Sequence, residues 1–125
     1  MSNAPTRRVL VVDDDDAVRE TLEDLLATLG YLADLVPSGP EALARVERQR
    51  YDIVITDLLM PGMTGWTVLD EVRLRYPRMP VVVLTGSLLD ATDGRLAQQG
   101  VVLVRKPVEL RVLDEALSRV LAETW

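Results

Sequence analysis

Residues 9–16 read VLVVDDDD, four aliphatic residues followed directly by four aspartates. Comparable aliphatic runs, rich in Val and Ile, recur at residues 53–55, 81–84 and 101–104. Runs of this kind, with no alternation of polar residues, are typical of strands that are buried on both faces of a parallel sheet. A weaker run at residues 31–36 is interrupted by Asp34, which predicts a fifth strand at an edge of the sheet.

Segments of helical periodicity lie between these runs, with aliphatic residues three or four positions apart. Asp15 and Asp16 are expected to cap the first helix, and Gly30 to end it. Ser38 and Glu41 have the spacing of a capping box at the start of the second helix. The segment 88–99 is the weakest helix, because Asp93 and Gly94 lie in its middle, and we expect it to move most easily. Five repeats of strand and helix predict an α/β protein with a three-layer, doubly wound (βα)5 fold.

The size and composition of the chain indicate one globular domain. The chain has 125 residues, of which 48% are hydrophobic and 27% are charged. We place the domain at residues 8–123 and expect residues 1–7 to be a disordered N-terminal segment. Part of that segment, Ser2-Asn3-Ala4, resembles the remnant of an expression tag.

The residue types that the chain lacks limit the chemistry that its side chains can perform. The chain has no Cys and no His, and Lys106 is its only lysine, so thiolate and imidazole chemistry are excluded. A net charge of −6 argues against direct binding of nucleic acid. No aliphatic run is long enough to span a bilayer, and the first eight residues lack the apolar core of a signal peptide. We therefore expect a cytoplasmic protein with no membrane contact.

Polar residues follow four of the aliphatic runs. Residues 13–16 follow the first run, and Asp57, Thr85 and Lys106 come at the ends of the later ones. The carboxyl ends of parallel strands open on one edge of the sheet, where ligands of doubly wound folds bind, so we expect these side chains to converge. Two carboxylates about 4 Å apart repel by roughly 4 kcal/mol at an effective dielectric near 20. Mg²⁺ relieves such repulsion and can also hold phosphate oxygens, which predicts a site for phosphoryl transfer that needs no histidine of its own.

Four strings of the sequence, with their spacing, match those of a known family. They are Val11-Val12-Asp13-Asp14, Asp57-Leu58-Leu59-Met60-Pro61-Gly62, Leu84-Thr85-Gly86 and Lys106-Pro107. From about residue 8 to residue 121 the chain resembles the receiver domain of two-component response regulators, of the CheY-like superfamily. The resemblance implies a flavodoxin-like sheet of strand order 2-1-3-4-5 and a role as phosphoacceptor in a bacterial phosphorelay.

The resemblance also implies roles for the residues at the strand ends. Asp57 would accept the phosphoryl group from a histidine of a sensor kinase. Asp13 and Asp14, together with Asp57 and the backbone carbonyl of Leu59, would bind Mg²⁺ or Mn²⁺. Thr85 would hydrogen-bond the phosphoryl group and move toward it.

The last strand contributes further implied residues. Lys106 would pair with a phosphoryl oxygen, and the Lys106–Pro107 peptide bond would be cis, an allowed state before proline. Leu103 stands where the family often has a switching Tyr or Phe, so the usual aromatic-linked switch is in question. Leu59 and Ser87 occupy positions linked in the family to the lifetime of the phosphoryl group. Because Leu59 is apolar and Ser87 is small, we expect water to reach the phosphoryl group more slowly than it would with an amide and an acid at these two positions.

The implied partners are a sensor histidine kinase or a phosphotransfer domain. The output would pass through the surface of the fourth predicted helix, the fifth strand and the last helix, by which relatives commonly form homodimers. The domain is expected to be a stoichiometric phosphoacceptor and not an enzyme, with at most weak self-phosphorylation from small phosphodonors and autodephosphorylation.

Two other classes of protein match parts of this sequence pattern. Asp13-x-Asp15 after a strand resembles the haloacid-dehalogenase phosphatases, but the chain is short for that class and Asp57 would have no role. A flavin-binding module could share the fold. However, four acids occupy the loop after the first strand, where a phosphate-binding loop is needed.

Overall fold

The computed structural model describes residues 6–87 and 91–123, in which strands alternate with helices. The strands are β1 (Arg8–Val12), β2 (Leu32–Val36), β3 (Ile53–Asp57), β4 (Val81–Thr85) and β5 (Val101–Arg105). The α-helices are α1 (Asp16–Thr28), α2 (Gly39–Arg48), α3 (Gly65–Arg75) and α4 (Leu110–Glu123). The strands pair in parallel in the order β2-β1-β3-β4-β5, which confirms the predicted doubly wound sheet.

The sheet separates two hydrophobic cores, because alternate residues of each strand point to opposite faces. In β1, Val9 and Val11 pack into the core beneath α1 and α4, whereas Leu10 and Val12 pack into the core beneath α2 and α3. Every residue of β3 and β4 is buried, as their unbroken aliphatic runs predicted. β2 lies at the edge with Asp34 only partly buried, also as predicted.

Local sequence signals set the helix ends. The Asp15 side chain accepts hydrogen bonds from the backbone N–H groups of Ala17 and Val18, and the Ser38 hydroxyl accepts one from the N–H of Glu41. The predicted N-caps at Asp15 and Ser38 are confirmed, whereas Asp16 is the first residue of α1 and not its cap. Gly30 follows α1 with φ of +90°, a backbone conformation that side chains disfavour. These local contacts fix where α1 begins and ends and where α2 begins.

The structure differs from expectation at the fourth predicted helix. Residues 88–90 lie outside the described residues, and residues 91–99 contain no α-helix but a 3-10 helix at Gly94–Ala97. Asp93 caps this turn by accepting a hydrogen bond from the backbone N–H of Arg95. This cap and Gly94 favour a short turn over a continuous helix.

Both ends of the chain extend past the described residues. Most of the predicted disordered segment, residues 1–5, lies outside them, and residues 6 and 7 are exposed and precede β1. The described helices are too short or too polar for any of them to cross a membrane.

Candidate functional site

The polar residues singled out from the sequence meet at the carboxyl edge of the sheet. Asp13 directly follows β1, Asp57 and Thr85 are the last residues of β3 and β4, and Lys106 directly follows β5. The register places Asp57 beside Leu84, and the backbone N–H of Lys106 donates to the carbonyl of Thr85 at 2.7 Å. The parallel topology therefore brings together side chains that are up to 93 positions apart in sequence.

Three carboxylates form an acidic cluster at this edge. Asp13, Asp14 and Asp57 each offer an oxygen, and these oxygens lie within 4.8 Å of one another. Asp13 and Asp57 are buried, whereas Asp14 is exposed to solvent. Clustered carboxylate oxygens, one of them open to solvent, are the donor set that Mg²⁺ or Mn²⁺ prefers. The donor chemistry of the cluster thus fits a divalent cation.

Lys106 bridges two of the three acids. Its Nζ lies 3.1 Å from Oδ2 of Asp13 and 3.0 Å from Oδ1 of Asp57. Burial acts to lower the pKa of Lys106, but its hydrogen bonds to Asp57 and Asp13 outweigh burial, so that the pKa is raised. The amine is therefore a cation fixed between two carboxylates.

Asp57 occupies an environment that disfavours its charge in the absence of a metal ion. Burial raises the pKa of Asp57, and the neighbouring charge of Asp13 adds to this. Hydrogen bonds from Lys106 and from the backbone N–H of Leu58 oppose the rise only in part. Any further cation in the cluster would favour the ionised, nucleophilic form.

The loop after β3 depends on a glycine that sequence reasoning missed. A Cβ on Gly65 would lie 2.4 Å from the carbonyl oxygen of Asp57 and 2.9 Å from Cα of Leu58. The backbone N–H of Gly65 donates to the carbonyl of Leu58 at 2.8 Å, so the start of α3 packs directly on the end of β3. A glycine as the first residue of a helix, next to the Thr64 N-cap, was the available signal.

Arg19 is a second residue that sequence reasoning missed. Its guanidinium donates hydrogen bonds to the backbone carbonyl of Asp13 and to the carboxylate of Asp16. The spacing of Asp16 and Arg19, three positions apart on one helix, could have indicated the ion pair. The contact with the carbonyl of Asp13 depends on how the loop folds and leaves no trace in the sequence.

The predicted switch residues lie beside the acidic cluster and not within it. The hydroxyl of Thr85 accepts a hydrogen bond from the backbone N–H of Ser87 at 3.0 Å. Thr85, Ser87 and Leu103 all line a cleft of about 340 Å³. The side chain of Leu59 is exposed. The Lys106–Pro107 peptide bond is cis, as the resemblance implied.

These features define a class of protein: a single α/β domain with an acidic cluster and a bridging lysine at the carboxyl edge of a doubly wound sheet. Within that class, the family model of the response regulator receiver domain matches residues 9–118. The chain therefore belongs to the receiver domain family of two-component response regulators. Receiver domains of this family are signalling domains that interact with histidine kinases and with output domains.

Individual relatives agree with this assignment. The chain is 36% identical over 113 residues to the response regulator protein FleR of Pseudomonas aeruginosa, covering 90% of this chain and 24% of FleR. The chain thus spans about a quarter of the length of this curated relative.

Two solved structures are similar over nearly their whole length. The chemotaxis protein CheY4 of Vibrio cholerae is 31% identical with a TM-score of 0.84, covering 93% of this chain and 99% of CheY4. The response regulator TrrA of Thermotoga maritima, solved in complex with Mg²⁺ and BeF, is 31% identical with a TM-score of 0.84. That match covers 92% of this chain and 99% of TrrA.

Proposed function

We propose that residues 8–123 form a phosphoacceptor domain in which Asp57 takes a phosphoryl group from a phosphohistidine of a sensor kinase or a phosphotransfer domain. The observation that carries the proposal is the meeting of Asp13, Asp14, Asp57 and Lys106 at one edge of the sheet. The chain contains no histidine, so the donor must be another domain or a small phosphodonor.

In the proposed transfer, a carboxylate oxygen of Asp57 forms a bond to phosphorus while the bond from phosphorus to the donor nitrogen breaks. The donor imidazole leaves with that electron pair. Oδ1 of Asp57 is held by the N–H of Leu58 and by Lys106, both at 3.0 Å, which leaves Oδ2 to attack. Lys106 is placed to neutralise charge on the transferred oxygens, and the hydroxyl of Thr85 to donate a hydrogen bond to one of them.

Asp13, Asp14 and Asp57 would hold the divalent cation, with the backbone carbonyl of Leu59 as a further ligand. When bound, Mg²⁺ or Mn²⁺ would supply positive charge that neutralises phosphoryl oxygens during transfer. The acidic cluster and the complex of TrrA with Mg²⁺ and BeF support this assignment. Leu59 and Ser87 would set how readily water reaches the phosphoryl group.

We further propose that phosphorylation changes the surface of residues 91–99, β5 and α4, and that this surface regulates a partner or a second copy. Thr85 and Leu103 line one cleft at this surface, so a shift of Thr85 toward the phosphoryl group opens space for the side chain of Leu103. With Mg²⁺ and beryllofluoride, amide exchange and the elution volume in gel filtration should change, with the exchange differences centred on this surface. Unchanged exchange there would contradict the proposed output.

Intact mass spectrometry tests the phosphoacceptor directly. With acetyl phosphate and Mg²⁺ the wild-type chain should gain one phosphoryl group, and with EDTA it should gain none. Asp57→Asn should abolish the gain, whereas the control Asp24→Asn, at an exposed position on α1, should keep it. A phosphoryl group that persists in Asp57→Asn would refute the assignment. Loss of a stable phosphoryl group in Asp13→Asn alone would favour the phosphatase alternative.

A further inference from the structure

Arg19 is a mostly buried cation beside the acidic loop. Its side chain is only 16% exposed, although it lies in the first turns of α1. The guanidinium spans the loop, since one nitrogen donates to the backbone carbonyl of Asp13 and another to the carboxylate of Asp16. Arg19 therefore ties the end of β1 to the beginning of α1.

Four contacts fix the position of Asp13. Its backbone N–H donates to the carbonyl of Val36 at 3.2 Å, which fixes it to β2. Its Oδ1 accepts a hydrogen bond from the N–H of Asp15 at 2.9 Å, and its Oδ2 contacts Lys106. Arg19 adds the link from the body of α1 to the backbone carbonyl of the same residue. The orientation of the next residue, Asp14, depends on this peptide group.

We propose that Arg19 is a positioning residue, which holds the loop of residues 13–16 so that Asp13 and Asp14 present their carboxylates to a divalent cation. This inference rests on the metal site of the proposed function. Residues behind metal ligands typically contribute 10- to 100-fold to metal affinity by fixing the orientation of the ligands.

The positive charge of Arg19 has the opposite effect on metal affinity from its positioning role. A guanidinium near the cluster repels an incoming cation, so loss of this charge alone would tighten cation binding. Loss of positioning would weaken it, because the ligands would have to be ordered on binding. The sign of the change in affinity therefore separates positioning from electrostatics.

The test is a Mn²⁺ titration in which free Mn²⁺ is followed by electron paramagnetic resonance, with Mg²⁺ as competitor. Arg19→Ala should weaken Mn²⁺ binding about tenfold, and Arg19→Lys, which keeps the charge but has a single donor nitrogen, should recover part of the loss. Arg48→Ala, at the exposed end of α2, is the control for loss of one positive charge and should bind as the wild type does. Circular dichroism tests whether each variant is folded. If Arg19→Ala does not fold, weaker Mn²⁺ binding by Arg19→Lys than by the wild type supports the proposal.

Amide exchange without metal provides a second measurement. The N–H groups of Asp14 and Asp15 should exchange faster in Arg19→Ala, while those of β3 and β4 should not change. If folded Arg19→Ala binds Mn²⁺ as tightly as the wild type or more tightly, the positioning role is overturned and the metal site is left intact. If Arg19→Ala does not fold, the same result with Arg19→Lys overturns it. Absence of Mn²⁺ binding by the wild type would overturn the metal site itself, and the inference with it.

Discussion

Gly65 shows how one residue can control the geometry of the site. Because a Cβ at this position would press on the backbone of Asp57 and Leu58, Gly65→Ala should displace the start of α3. Overpacking against backbone atoms typically costs 1–3 kcal/mol, so we expect the free energy of unfolding to fall by about 2 kcal/mol. Urea denaturation followed by circular dichroism measures this change.

The matched control for this substitution is Gly94→Ala. No atom lies within 4 Å of a Cβ built on Gly94, and its φ is not in the left-handed region. The change in stability there should be small or slightly favourable, because alanine restricts the unfolded chain. Equal destabilisation by the two substitutions would show that contact with Asp57 is not the cause.

Tyr51 provides a prediction of pH dependence. Its hydroxyl donates to Oδ2 of Asp34 at 2.6 Å, and burial together with this hydrogen bond raises the pKa of Tyr51 to about 12. An unfolded tyrosine has a pKa of about 10. Because the folded pKa is the higher one, the stability gained from the neutral phenol is complete below pH of about 10 and is lost as the pH rises through about 12.

The measurement is a titration of tyrosinate absorbance. The folded wild type should show a late component near pH 12 that is missing in Tyr51→Phe, and in denaturant all tyrosines should titrate near pH of about 10. Asp34→Asn, which removes the charge of the partner, should move the late component to lower pH. A titration of Tyr51→Phe that matches the wild type would refute the assignment.

How far sequence predicts individual residues depends on whether their contacts are local. The N-caps at Asp15 and Ser38 were predictable because cap and helix are adjacent in the chain. The meeting of Asp13 with Lys106 followed from strand topology. The role of Gly65 depends on how closely one backbone approaches another, and that of Arg19 on which backbone carbonyl its side chain reaches. Hydrophobic periodicity encodes neither.

At the scale of elements, two arginines attach the segment 91–99 to α3: Arg95, within the segment, and Arg73, on α3, which donates to the backbone carbonyl of Gln99 at 2.7 Å. The guanidinium of Arg95 makes a bidentate contact with Asp70 at 3.0 and 2.8 Å, and it lies 5.6 Å from the ring centre of Trp66. It also pairs with Asp93 at 3.2 Å, within the segment itself. Arg95 therefore connects the 3-10 helix to α3, and Arg73 holds the residues that follow it.

Arg95→Ala should loosen this segment without affecting the rest of the molecule. A partly exposed ion pair of this kind contributes about 1 kcal/mol, so amide exchange in residues 91–99 should rise about fivefold. The fluorescence of Trp66 should also change, because its ring loses the cation. Amide exchange measured by mass spectrometry tests this, with Arg111→Ala on α4 as the control. Unchanged exchange in residues 91–99 would mean that other contacts hold the segment.

The same segment shows why one element was predicted incompletely. Its aliphatic residues and the strand–helix alternation favoured a helix, whereas Asp93 and Gly94 weakened that prediction. The structure has a turn capped by Asp93 and tied to α3 by Arg95. Side-chain contacts to another element decide between the two outcomes, and such contacts are invisible to a local pattern.

At the scale of the whole molecule, the two cores share one sheet and should unfold together. Leu26, on α1, and Leu69, on α3, lie in different cores and both are fully buried. Leu26→Ala and Leu69→Ala should each lower the free energy of unfolding by about 2–5 kcal/mol. Leu74→Ala, at a side chain that is 76% exposed, should change it by less than about 0.5 kcal/mol.

In each variant, circular dichroism and tryptophan fluorescence should report a single, coincident unfolding transition. Two separate transitions would show that the cores on the two faces of the sheet are independent. The doubly wound parallel sheet was predictable because unbroken aliphatic runs and right-handed crossovers leave few topologies, whereas its strand order was implied by the resemblance to the receiver family.

The position of the chain's single lysine has a practical consequence for labelling chemistry. An amine-reactive reagent has one side-chain target, Lys106, and that amine contacts the carboxylates of Asp13 and Asp57. Because these contacts raise the pKa of Lys106, the amine stays protonated and should acylate slowly. Events that separate the amine from the two carboxylates should raise its reactivity. The extent of acylation at this residue can therefore serve as a built-in reporter of the state of the site.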